Sequence, residues 1–150
     1  MAITVSGLYV TQWIDILDAT QLAIDLSLTT HKVAMYTNAL TPNYSTDTAY
    51  SAAPYTSNQV SGTGYTAGGT TIGSTTVTES PPGTLMWDGA DVAWASSTIS
   101  SARGGLIYAD ALAGKNAICF VNFGADYSTT SGTFTIQWAA TGILTIDLTP

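Results

Sequence analysis

The sequence predicts a mainly β fold: a single antiparallel β-sandwich of about seven or eight strands, with a short N-terminal helix and a long extended arm. Three observations carry this. First, residues 104–148 hold four apolar runs, at 106–109, 117–123, 134–138 and 143–148, separated by turn clusters at 113–116, 128–132 and 139–142. Short apolar runs with glycine-containing breaks are the mark of an antiparallel sheet. Second, Phe134, Ile136 and Trp138 alternate with Thr133, Thr135 and Gln137, and Leu144, Ile146 and Leu148 alternate with Thr145 and Asp147. Such a period of two gives each strand one dry and one wet face. Third, only one stretch has helical spacing.

That stretch is residues 9–17. Trp13, Ile16 and Leu17 share one side and Asp15 and Asp18 the other, with Thr11 as the N-cap candidate. In residues 22–28, Leu22, Ile24, Leu26 and Leu28 alternate with polar neighbours, which fits a strand or an extension of the helix. His31-Lys32 is a polar break, and residues 33–36 read as a strand. Residues 38–69 then lose all periodicity. They are too long for an ordinary connection and are rich in Thr, Ser, Asn, Gly and Pro, with Tyr44, Tyr50, Tyr55 and Tyr65 recurring. Tyrosines spaced through a polar segment predict an arm that packs on a surface, this domain's or a neighbour's.

Residues 70–80 are β-branched and read as an edge strand stopped by Pro81-Pro82-Gly83. Residues 85–87 and 92–94 flank Asp88-Gly89-Ala90-Asp91, a hairpin signal. Residues 96–102 read as a polar connector. Ile118, Cys119, Phe120 and Val121 are apolar on both faces, so a second sheet should cover one side and an N-terminal arm or a neighbouring subunit the other.

The 150 residues suit one domain spanning 1–150. Charged residues make up 9%, which leaves solubility to Ser, Thr, Asn and Gly and leaves little rotamer entropy to lose on contact. Net charge is −7, with Lys32, Arg103 and Lys115 as the only strong bases. Three scattered bases cannot neutralise a nucleic-acid backbone or hold an anionic membrane, so neither is an expected partner. No signal-peptide pattern opens the chain and no apolar stretch is long enough to span a membrane. Cys119, the single cysteine, reads as a small buried hydrophobe.

No set of residues spells out catalysis. His31 is the only histidine and Glu79 the only glutamate, and neither is spaced for a nucleophile–base or carboxylate pair. Asp88 and Asp91 bracket a turn without the calcium-loop pattern. The glycines at 62, 64, 68 and 69 lack the lysine and the strand–turn–helix frame of a phosphate loop. The expectation is no enzyme, no cofactor and no metal. Arg103, alone before the last sheet, is expected to pair with a carboxylate or cap carbonyls, inside the domain or at a subunit contact.

Three segments have a familiar texture: residues 32–69, residues 87–110 with LIYAD at 106–110, and residues 118–148 with FVNFGAD at 120–126 and GTFTIQW followed by GILTI. In these the chain resembles small virion proteins encoded beside capsid genes in tailed bacteriophages. The resemblance implies a capsid decoration (cement) protein or another head or tail accessory protein, without an active site. It implies the major capsid protein and further copies of the chain, as a homotrimer, for partners. It places the chain on the capsid exterior, and in the host cytoplasm during assembly. Trp13, Tyr44, Tyr50, Tyr55, Tyr65 and Arg103 are the interface candidates. The alternatives are a tail or fibre component, or a carbohydrate-binding module that stacks the arm tyrosines on sugar rings.

Overall fold

The structure is a computed structural model that describes residues 2–18 and 21–149. Eight strands form two antiparallel sheets, as the sequence predicts. In chain order they are β1 (Gly7–Leu8), helix α1 (Val10–Leu17), β2 (Lys32–Thr37), β3 (Thr70–Thr71), β4 (Thr76–Glu79), β5 (Thr84–Asp88), β6 (Val92–Tyr108), β7 (Ala117–Ile136) and β8 (Leu144–Asp147). One sheet has the order β1-β7-β6-β2-β3 and the other β4-β5-β8.

The sandwich is built around β2. Its residues 33–36 are fully buried, because each face meets a different layer. Val33 and Met35 join a core with Ile107, Cys119, Trp94, Phe134 and, from the smaller sheet, Trp87. Ala34 and Tyr36 join a second core with Leu106, Tyr108, Phe120, Leu40, Tyr55, Tyr9 and Ile3. The smaller sheet covers the first face. The N-terminal segment and residues 38–69 cover the second. This resolves the two-sided apolar run at 118–121: both covers come from the chain itself.

Four strand assignments change. Residues 117–123 and 134–138 are not separate strands, since β7 runs unbroken from Ala117 to Ile136 and residues 128–132 are no turn. Residues 96–102 are not a connector; they are the middle of β6. The two strands pair along their length with register shifts after Trp94, Ser97, Ile99 and Ala102. At these slips Ser96 and Ser101 take positive φ, a bulge-like device that bends and twists a ribbon. Residues 85–87 and 92–94 form no hairpin. β5 pairs with β4 and β8, so the Asp88–Asp91 turn carries the chain from one sheet to the other. The predicted edge strand at 70–80 divides into β3 and β4, each on the edge of its own sheet.

The 38–69 segment is a succession of turns rather than an extended arm. Two glycines let it lie against the sheet. At Gly62 (φ +145°) an added Cβ would collide with the Thr98 carbonyl, and at Gly69 (φ +74°) with that of Val33. Only a residue without a side chain permits this approach. Residues 22–28 are neither helix nor strand. Their alternation is real all the same: Leu22, Ile24 and Leu26 are half-buried, and the intervening residues are exposed.

Candidate functional site

Helix α1 turns its apolar stripe outward. Val10 is 51%, Ile14 54% and Leu17 81% exposed. With the half-buried Trp13 they fall at i, i+3, i+4 and i+7, one continuous face. The buried contact is instead polar: Gln12 is 2% exposed and its Oε1 accepts from Asn116 Nδ2 at 2.8 Å. The apolar side that the spacing places Trp13 and Leu17 on is therefore not the buried one. Thr11 is not the cap either. Tyr9 holds the N-cap position, without a side-chain cap bond. Tyr9 is fixed below by its buried ring, and the Val10 N–H donates to Tyr44 O at 2.8 Å. The stripe lines a shallow hollow of about 440 Å³ with Leu8.

The arm tyrosines turn the other way. Tyr55 is 1% exposed. Its hydroxyl donates to Asp47 Oδ2 at 2.9 Å, so the short contact with Tyr9 must be a bond donated by Tyr9. Burial raises both phenol pKa values well above the ordinary 10. Tyr44, half-buried, donates to Val5 O at 2.8 Å, and burial pushes its pKa up to about 12. Tyr50 stacks on Tyr108 with ring centroids 4.4 Å apart and planes at 9°. The Tyr65 hydroxyl accepts the Met35 N–H at 2.9 Å. Of the six interface candidates these four thus serve the chain's own interior, Tyr44, Tyr50 and Tyr55 at the second core and Tyr65 at the first. Trp13 belongs to the outward stripe. Arg103 bonds Asp126 at 3.2 Å across the β6–β7 ribbon, as expected of a lone base seeking a carboxylate.

The other two bases meet on one acid. Lys32 lies 2.8 Å and Lys115 2.6 Å from the Asp110 carboxylate, and these bonds, Lys115's first, hold its pKa below the usual range. All three strong bases are therefore tied within the chain. Among the described residues no group of His, Cys, Asp and Glu is placed to hold a metal ion, and no helix is long and apolar enough to cross a membrane. Cys119 is buried, and burial pushes its thiol up to about 12.

His31 is not the exposed loop residue the polar break suggests. It is 1% exposed, and its ring meets Trp87 edge-on at 5.7 Å. Nε2 lies 2.8 Å from Asp25 O, which makes Nε2 the protonated nitrogen, and Nδ1 is buried without a partner. Protonating Nδ1 would bury a donor that has no acceptor. Burial accordingly lowers the His31 pKa below 6.5, against a smaller opposing pull from the Asp25 carbonyl. The unfolded chain then binds the proton first, so stability should be full above pH 6.5 and decline as the pH falls from there toward the lower folded value. Urea unfolding across that window checks this. His31→Gln should cost stability at every pH and flatten the slope; an unchanged slope would show the window to come from another group.

Compared with protein-family models, with curated proteins and with solved structures, the chain matches none.

Proposed function

We propose that this chain is a virion structural protein, a capsid decoration protein that docks on the assembled phage head and bridges neighbouring capsid subunits. The observation that carries the reading is the outward stripe of α1. A short helix has exchanged its inward apolar contact for a polar one and offers Val10, Trp13, Ile14 and Leu17 to the exterior. Exposed apolar stripes of this kind mark contact surfaces. The tyrosine-rich segment supports the reading differently: it holds the N-terminal segment and so fixes the helix as a rigid knob. The sequence resemblance adds the kind of partner.

Binding that favours the expanded lattice stabilises that lattice by mass action. A surface with few long charged side chains loses little rotamer entropy when it is covered. A homotrimer seated on threefold positions suits the same scheme. Purified protein should bind expanded empty heads at a fixed stoichiometry and leave unexpanded heads bare. No binding to heads, with density found only on tails, would replace this reading with that of a tail component.

A further inference from the structure

The last third of β7 has a neighbour on one side only. β1 pairs with β7 at Cys119 and Phe120 and no further, while β6 occupies the other side up to Ile136. Trp138 donates its N–H to Asp91 Oδ1, on the β6 side, at 3.0 Å. Strand alternation then points the N–H groups of Thr133, Thr135 and Gln137 to the open edge. A groove of about 470 Å³ borders this edge and is lined also by residues between 121 and 129, earlier in the same strand. Its lining includes inward residues (Phe134, Ile136) and outward ones (Thr133, Thr135) alike. A groove touched by both sets runs along the backbone, not across a face.

Natural sheets defend their edges with charge, proline or brevity. The other edges here do so. β1 and β3 have two residues each, β4 ends in Glu79 before Pro81-Pro82, and β8 carries Asp147. Residues 132–138, GTFTIQW, have neither charge nor proline.

We propose that the open edge of β7 takes up an extended strand from a basic partner protein by main-chain pairing. Charge selects the partner. The groove itself is uncharged, and the Asp91 carboxylate stands beside Trp138 in its lining, while Asp126, next to the lining residue Tyr127, is already paired with Arg103. The chain carries −7 with its three bases already ion-paired, so at this edge a strand flanked by lysines is favoured over one from a second copy, which leaves self-association through other surfaces untouched. Naming a shell subunit as the source of that strand rests on the function proposed above; the pairing does not.

The test uses a labelled peptide of alternating valine and threonine with paired lysines at each end, and its twin with paired glutamates. The lysine peptide should bind by fluorescence anisotropy at least tenfold more tightly than its twin. It should also slow amide exchange at Thr133, Thr135 and Gln137. Thr135→Pro removes an outward N–H and spares the β6 ladder, so it should abolish binding without lowering the melting temperature, whereas Thr135→Ala should bind as the parent does. Exchange in the parent protein decides the matter even if the proline variant unfolds. Failure of both peptides to bind, or protection elsewhere, overturns the proposal. Equal binding of the two overturns the charge selection, and dimers of the chain that protect the same amides make a second copy the occupant. Peptide binding without head docking would sink the decoration reading alone, and head docking without peptide binding this one.

Discussion

Replacing Trp87 with alanine is expected to lower the unfolding free energy by about 3–5 kcal/mol, the range for removing a large buried aromatic. Trp87 is 0% exposed, and it is the one strand residue of the smaller sheet that reaches full burial. It ties three parts together. Its ring enters the core of the larger sheet, meets His31 edge-on, and its Nε1 donates to Leu26 O at 2.8 Å. Alanine leaves a cavity where the sheets meet and strips the Leu26 carbonyl of its donor. Trp87→Phe separates these effects. It keeps most of the packing and orphans the carbonyl, at a cost of about 1–3 kcal/mol. Urea denaturation of the three proteins gives both figures. A loss below about 1 kcal/mol for the alanine variant would show that the sheets are held together elsewhere.

The same residues show what was legible beforehand. β2 and the alternation of residues 133–138 were readable because each face of a regular strand meets a single layer. Phe134 and Ile136 are buried while Thr133 and Thr135 are exposed. His31 was readable too, had its parity been followed: it sits two residues before Val33 and four before Met35, on the face they bury. β6 was missed because its alternation slips. Val92 and Trp94, then Ser97 and Ile99, then Ala102 are buried, with an extra exposed residue at each break. The breaks fall at Ser96 and Ser101, the positive-φ serines, so a fixed period of two loses phase twice and the strand reads as polar loop. The Asp88–Asp91 turn was identified as a turn, yet no local pattern says which sheet the chain joins next. The helix is legible from the spacing of its apolar residues, but that spacing does not say which side is buried. Nothing in residues 9–17 announces that Gln12 finds Asn116, more than a hundred residues away in sequence.

That inversion of α1 makes it the place to separate docking from folding. Ile14→Gln with Leu17→Gln should weaken head binding by about a hundredfold or more, since each apolar side chain covered at a contact is worth at least about 1.5 kcal/mol. Stability should stay within about 0.5 kcal/mol of the parent, because both side chains are already more than half exposed and glutamine is a good helix former. Glutamine also avoids placing a carboxylate at the negative end of the helix dipole. A matched change on the far sheet supplies the contrast. Val77 on β4 is 42% exposed, and Val77→Gln should leave head binding as it was. Co-sedimentation with expanded heads and a thermal melt read the two quantities separately. Full head binding by the double variant, with its melt unchanged, would remove the helix from the contact and with it the observation on which the proposed function stands.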